Sequence, residues 1–238
     1  MIKQGIILCG GEGTRLRPMT EHYNKALVPI NGKFIIDFPL HTLLKLGVQD
    51  LIVVLGGSHF AQIVSYIKDG KALGFNSVSY VYQNEPTGIS QAISLCENLI
   101  HDEQFAVILG DNVFEGDVNF DKSGRYGAQI VLHKSEELNR FGVASIDGDK
   151  IIKIEEKPKA IDANYVNYAI TGLYLFDFHF WPYFHQSKRS DRNEFEITDI
   201  MHQYHKENAL GYTVTHKLWR DAGTVASVQF LNDYFGKK

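Results

Sequence analysis

Residues 6–17 read Ile-Ile-Leu-Cys-Gly-Gly-Glu-Gly-Thr-Arg-Leu-Arg. A short apolar run that empties into a glycine-rich turn reads as a buried strand feeding a loop, and this constrains the fold more than any other feature. Gly10, Gly11 and Gly13 let the backbone turn tightly and aim successive N–H groups at one anion. Arg15 adds a permanent positive charge in a planar fork that matches phosphate oxygens. In an α/β sheet such a loop lies at the carboxyl end of its strand, where phosphates are held. Two common nucleotide fingerprints are excluded. A dinucleotide loop needs glycine where this chain has Leu16, and the Gly-Lys-Ser/Thr of a P-loop occurs nowhere. The plainer alternative is a glycine-rich turn with a surface arginine.

Beyond that loop, strand-type and helix-type runs alternate. Strands are predicted at 6–9, 51–55, 78–83 and 105–109, with helical spacing over 34–46, 59–68 and 89–99. That order predicts an α/β fold, a Rossmann-like, mixed, mainly parallel central sheet with helices on both faces. From Gly127 the character becomes β-rich. Strands are predicted at 130–133, 142–146, 151–155 and 169–176, with Asp147-Gly148 as a hairpin turn. Helical segments follow near 179–184 and 198–206. The polar, glycine-bearing stretch 115–126 is the expected joint. One domain over 1–238 is anticipated, with halves at about 1–114 and 127–218, a return at 219–224 and a helix at 225–235.

The chain has 238 residues, 44% of them hydrophobic, enough to bury one substantial core. Its net charge of −4 is spread over both signs, with no basic run to track a nucleic-acid backbone, so nucleic acid is not an expected partner. No stretch approaches the roughly 18 apolar residues of a membrane span, and no export signal is visible. Cys9 and Cys96 read as buried thiols of a reducing compartment, which points to the cytoplasm.

Two carboxylates stand out. Asp111, in Leu-Gly-Asp-Asn, lies just past the end of a predicted buried strand, where a helix cap or turn is the plain alternative. Asp221, in Arg-Asp-Ala-Gly, also reads as an ordinary turn. If the two met at a phosphate cradle they would suit Mg²⁺, which takes few protein oxygens and completes its shell with phosphate and water. Lys25 sits in an uncharged run between Pro18 and Pro29, either as a solvated charge or as a phosphate partner. Glu155-Glu156-Lys157-Pro158-Lys159 reads first as a solvated charge run. His202 and His205 lack the companions of a zinc site, and no Gly-x-Ser-x-Gly elbow occurs.

Taken together, the strings resemble the sugar-1-phosphate nucleotidyltransferases, most closely the glucose-1-phosphate thymidylyltransferase branch. The matching strings are Gly10–Leu16, Asn24-Lys25 with Leu27 and Pro29, Leu109–Asn112, Arg140–Val143, Glu155–Pro158, Tyr168–Tyr174, Glu194–Asp199, and Trp219 with Asp221, Gly223 and Thr224. They run in family order over nearly the whole chain. Each is weak alone; the ordered series is specific.

The resemblance implies roles. The first half would bind a nucleoside triphosphate, most simply dTTP, through Gly10, Gly11, Gly13, Thr14, Arg15, Lys25 and Asp111, with Gln83 and Gly88 at the base. Arg15 and Lys25 would be the catalytic cations, and Asp111 and Asp221 would carry Mg²⁺. The smaller, β-rich half would bind the sugar 1-phosphate through Asn112, Gly142, Glu156, Lys157, Ile170, Gly172 and Arg192. UTP or CTP with another sugar 1-phosphate, or a non-catalytic nucleotide-sugar sensor, are the alternatives; a nicotinamide oxidoreductase is disfavoured by Leu16 and the paired aspartates. The sequence does not fix subunit number, and homo-oligomer formation is compatible with it. Asn193 stands where the family has glycine, the 115–126 joint is short, and the chain runs only a few turns beyond Asp221, so no distant regulatory site is expected.

Overall fold

The computed structural model describes residues 2–237. In chain order the elements are β1 Gln4–Cys9, β2 Pro29–Ile30, β3 Lys33–Phe34, α1 Asp37–Leu46, β4 Asp50–Leu55, α2 Phe60–Ile67, β5 Ser77–Tyr82, α3 Ile89–Ser94 and β6 Gln104–Leu109. They continue with β7 Asn112–Phe114, β8 Ala128–His133, β9 Gly142–Asp147, β10 Lys150–Glu156, β11 Val166–Asp177, α4 Phe180–Gln186, α5 Ile197–Lys206, β12 Leu210–Thr215, β13 Trp219–Asp221 and α6 Val225–Gly236. Among the described residues, nine strands form one mixed sheet in the order β10-β9-β11-β6-β1-β4-β5, with β8 on β11 and β12 on β8. The strands β6, β1, β4 and β5 run parallel. Among the described residues, no helix is long and apolar enough to cross a membrane.

The parallel strands are apolar at nearly every position because both faces are covered. Successive residues point to opposite faces. Ile6, Ile52, Val54, Phe105 and Val107 therefore pack beneath α3, α4 and α5, while Ile7, Leu51, Val53, Ala106 and Ile108 face α1 and α2. Phe105 is fully buried, stacked on Trp181 with centroids 5.1 Å apart and edge-on to Phe180. A third, smaller cluster joins Leu16, Val28, Val113 and Ala222 to Val228 and Leu231 of α6. That cluster anchors the glycine loop and the Asp221 segment to a single base.

β11 ties the two halves together. Its first residues, Val166–Ala169, pair antiparallel with β9, and its last, Leu173–Asp177, pair with β6. Along its other edge β8 follows it, with a register shift between Ile170 and Tyr174. The strand bulges where it changes partners, as strands do beside functional sites. The 115–127 connection has no regular structure, yet Val118 and Phe120 are buried and the Gln129 amide grips the backbone of Asp121.

Two boundaries and one strand of the main sheet differ from expectation. The helix predicted from Phe34 begins at Asp37, because Asn31 and Gly32, both at positive φ, turn Lys33–Phe34 back onto Pro29–Ile30. The Asp37 carboxylate then accepts from the Phe34 N–H at 2.8 Å, closing that turn. The helix predicted over 89–99 ends at Ser94 and resumes as a single 3₁₀ turn at Glu97–Leu99. β12 was not predicted at all.

Replacing Phe105 with Ala should cost about 4 kcal/mol, the usual loss for emptying a buried aromatic site. Urea unfolding should show a lower midpoint with an unchanged slope. A cost below about 1 kcal/mol would contradict the packing described for the α3–α5 face.

Candidate active site

The loop after β1 is built on positive-φ glycines. Gly11 (φ +92°) has open space where a Cβ would point, and Gly13 (φ +61°) leads into the 3₁₀ turn Thr14–Leu16. A Cβ on Gly13 would stand 2.9 Å from that of Lys25, so glycine is what lets the lysine stem pass under the loop. Leu16, fully buried, pins the far end. Thr20 donates its hydroxyl to the Gly13 carbonyl at 2.7 Å, and the Glu12 carboxylate accepts from the N–H and hydroxyl of Ser58.

Lys25 follows Asn24, whose side chain accepts from Ala26 N–H at 3.0 Å and starts a second 3₁₀ turn. Its ammonium reaches Asp111 Oδ2 at 2.8 Å. Burial alone would push the Asp111 carboxyl up, but Lys25, by charge and hydrogen bond, together with the Asn112 amide, holds it below the usual range. Burial would likewise lower the Lys25 ammonium, and Asp111 more than reverses that. Asp221 is brought alongside by a two-strand ladder, β7 with β13, in which it pairs with Asn112 while Ala222 N–H donates to the Asp111 carbonyl. Its carboxyl is raised, first by burial and next by the charge of Asp111, against Gly223 N–H, Arg15 and Lys25. Two buried carboxylates thus lie together, Asp111 on Lys25 and Asp221 within reach of Arg15 and, at 3.8 Å, of Arg140.

Two chambers meet at Asp111. The first, about 360 Å³, is lined by Gly10, Gly11, Lys25, Gln83, Gly88 and Asp111. Gln83 is buried, with its amide N–H₂ donating to Gln91 Oε1 at 2.7 Å and facing the Gly88 carbonyl at 3.5 Å. A carbonyl cannot donate, so the nitrogen belongs on that side and the Gln83 oxygen faces Gly10. Gly88 has a structural reason of its own: at φ +119°, its Cβ would lie 2.4 Å from the Phe195 carbonyl.

The second chamber, about 320 Å³, opens in the fork between β9 and β6. Arg15, Asp111, Asn112, Gly142, Glu156, Lys157, Ile170, Gly172 and Asp221 line it. Asn112 is engaged on protein, its oxygen accepting from Gly172 N–H (3.0 Å) and Trp219 Nε1–H (2.6 Å) and its nitrogen donating to Asp111 Oδ1. The Glu156 carboxyl is raised, mainly by burial and then by Glu196, against Lys157, Arg192 and Thr198.

Three residues singled out in the sequence line neither chamber. Gly13 and Thr14 shape the loop from beneath. Arg192 lies outside, its guanidinium bidentate on Glu196 (3.1 and 2.7 Å) and within 3.4 Å of both Glu156 and Glu194. Asn193 beside it takes φ +62°, which asparagine tolerates better than most non-glycine residues. Conversely, Arg140, Phe141, Tyr174, Thr198 and Trp219 line the second chamber without having been assigned roles, and Thr171 lines it between Ile170 and Gly172. Thr171 carries a fully buried hydroxyl with no hydrogen-bond partner among the described residues. Nothing in a strand-like Ala-Ile-Thr-Gly-Leu string signals the bulge that puts it there.

Two chambers thus open onto one pair of buried carboxylates. A model of the nucleotidyl transferase family matches residues 4–234, and the chain belongs to the sugar-1-phosphate nucleotidyltransferases. It is 32% identical to a glucose-1-phosphate thymidylyltransferase of Neisseria meningitidis serogroup A over 94% of its own length and 80% of that protein's. A second protein of that name, from Xanthomonas campestris pv. campestris, is 34% identical over 95% and 78%. Among solved structures, a Bacillus anthracis protein assigned as a glucose-1-phosphate thymidylyltransferase, in complex with sucrose, superposes with a TM-score of 0.88 at 37% identity, covering 98% of this chain and 95% of that one. Transfer of a nucleotidyl group from a nucleoside triphosphate to a sugar 1-phosphate is the activity of this family.

Lys25→Met should leave Asp111 buried without a counter-ion and cost about 3 kcal/mol at neutral pH. In the wild type, Asp111's contribution is present above its unfolded value near 3.8 and is lost as pH falls through the still lower folded one. In the variant, Asp111 would join Asp221 on the raised side, so the deficit should shrink as pH falls towards about 4 and both take protons. Urea unfolding of both proteins across pH checks this; a deficit independent of pH would contradict it.

Proposed function

We propose that this protein transfers the thymidylyl group of dTTP to glucose 1-phosphate, giving dTDP-glucose and pyrophosphate. The observation that carries the reading is the meeting of two chambers at Asp111, one presenting a buried amide and the other Glu156, Thr198 and the Ile170–Gly172 backbone. The first suits a base and the second a sugar, so the attacking and leaving groups would lie on either side of the carboxylate pair. The specific pairing is supported by the names of the relatives with 32–34% identity.

A phosphate monoester is largely ionised at neutral pH, with a second pKa near ~6, so no general base is needed. One oxygen of the sugar phosphate attacks the α-phosphorus of the triphosphate. An O–P bond forms as the bond to the β-phosphate oxygen breaks, and pyrophosphate leaves with that electron pair. The barrier is repulsion between polyanions together with in-line alignment. The Gly10–Gly13 backbone and Arg15 would hold the triphosphate, and Lys25, already poised on Asp111, would lean towards the α-phosphoryl oxygens. Buried Cys9 is no rival nucleophile, because burial pushes its thiol up to about 12.

The residues fit Mg²⁺. Asp111 and Asp221 supply hard oxygen donors, and Mg²⁺ characteristically takes one or two carboxylates and completes its shell with phosphate oxygens. No group of three or more His, Cys, Asp or Glu side chains that could hold a metal occurs among the described residues, so substrate oxygens would have to contribute. When bound, the ion would neutralise phosphate charge. With Asp221 raised, cation affinity should weaken as pH falls from neutrality through a value above the ordinary carboxylate range.

Base choice would rest on Gln83. Its oxygen, free towards Gly10, can accept the N3–H of thymine or uracil, whereas cytosine has no proton there. The 5-methyl group adds only about 0.8 kcal/mol, roughly fourfold. A matrix of nucleoside triphosphates against sugar 1-phosphates, scored by pyrophosphate release, should put dTTP first and UTP within about one to two orders of magnitude, with CTP, ATP and GTP nearly inert. Equal turnover of ATP or GTP would refute the reading.

Asp111→Asn and Asp221→Asn should each lower kcat by about two orders of magnitude or more with the fold retained. The double variant should be scarcely worse than either. Multiplying effects would mean that the two carboxylates do not serve one centre.

A further inference from the structure

The loop that would cradle the triphosphate carries an acid. Glu12 is the one carboxylate in residues 10–17, and a carboxylate beside a polyphosphate weakens binding by like-charge repulsion. Its side chain lines neither chamber. It engages instead the segment between β4 and α2. Oε1 accepts from the Ser58 N–H at 3.1 Å, and the Ser58 hydroxyl stands 3.2 Å from Oε1 and 3.1 Å from Oε2. Gly57, at φ +77°, permits the approach, since a Cβ there would stand 3.1 Å from Glu12 Oε1 and 3.3 Å from the Gly11 carbonyl.

The same segment holds the lysine arm. Gln62, in the first turn of α2, accepts from the Asn24 N–H at 2.8 Å and donates to the His22 carbonyl at 2.8 Å. His59 Nε2 lies 3.0 Å from the Glu21 carbonyl. Asn24 in turn starts the turn that carries Lys25. α2 itself is fixed, because Ile63 and Ile67 are buried in the core beneath it. Gln62 also borders a cavity of about 690 Å³ walled by Met19, Tyr23, Leu27 and Phe34, so the lysine arm is not packed on that side.

We propose that the start of α2 is a bracket that sets both arms of the site before substrate arrives, with Glu12 and Ser58 latching the phosphate loop and Gln62 holding the lysine arm. These are positioning residues, which act through the Gly10–Gly13 backbone and through Lys25. Glycine loses more freedom on ordering than any other residue, so a latch closed in the free protein removes that cost from binding. It also holds the Glu12 charge out of the cradle. The two arms differ in consequence. The loop grips the triphosphate in its ground state, so freeing it weakens binding. Lys25 acts on charge as it shifts between phosphates, so freeing its arm slows the chemical step.

The proposal rests on the transferase reading, and the test separates the two. Glu12→Ala should raise the KM for dTTP about fivefold, the size of an exposed charge-assisted contact, with kcat and the KM for glucose 1-phosphate within about twofold of wild type. Glu12→Asp keeps the charge but falls one methylene short, and should behave like Glu12→Ala. Ser58→Thr, which keeps both donors, should stay near wild type. Adding Ser58→Ala to Glu12→Ala should make matters no worse, because both changes open one latch. Gln62→Met should instead lower kcat about fivefold and leave the KM for dTTP near wild type. Hydrogen exchange in the ligand-free protein needs no substrate: the Gly10–Thr14 amides should exchange about fivefold faster in Glu12→Ala and at the wild-type rate in Gln62→Met. Were Glu12 only a charge near the cradle, Glu12→Ala would bind dTTP more tightly than wild type and Glu12→Asp would match wild type. That result, or unchanged exchange of the loop amides in Glu12→Ala, would overturn the latch. A Gln62→Met loss that fell on the KM for dTTP would overturn the division between the arms. Should wild-type protein release pyrophosphate from no substrate pair, the functional reading fails by itself, and the exchange rates still decide whether Glu12 latches the loop.

Discussion

The ion pair between Lys25 and Asp111 is the contact on which the rest of the site depends. Bringing two charges out of water costs several kcal/mol apiece, and their attraction seldom returns more than that. Stability is a poor reason for such a pair at the end of β6. Preorganisation is a better one, since a cation fixed before substrate arrives needs no reorientation as charge shifts between phosphates. Several features converge on its placement. Gly13 lacks the Cβ that would block the lysine stem, the Asn24 cap starts the turn that carries Lys25, and Asp111 follows a strand buried on both faces.

Asp221 completes the arrangement from the far end of the chain. Its carboxyl is raised by burial and then by the charge of Asp111, against Arg15 and Lys25, whereas Asp111, which holds Lys25 directly, is lowered. The two carboxylates are held in place by the β7–β13 ladder and by the small cluster under α6.

Much of this was legible in the chain. The alternation of apolar runs gave the parallel strands and their helices, because strands covered on both faces leave a continuous hydrophobic signature. Gly10–Arg15 gave the loop. Short and non-local features were not legible. β7 and β13 have three residues each, too few for any periodicity, yet their pairing brings Asp221 to Asp111. Phe34 fits the helical spacing of the residues after it, but the Asn31-Gly32 turn claims it first. The bulge at Ile170–Tyr174 depends on β11 changing neighbours, which no local string records.

The central claim is that two substrates meet directly at Asp111, with no side chain carrying the nucleotidyl group between them. Incubating the protein with dTTP, Mg²⁺ and labelled pyrophosphate in the absence of any sugar phosphate tests it most directly. The account predicts that no label enters dTTP until glucose 1-phosphate is added, because only reversal of the complete transfer can return pyrophosphate to the nucleotide. Label entering dTTP without a sugar phosphate would reveal a nucleotidylated protein and contradict the account.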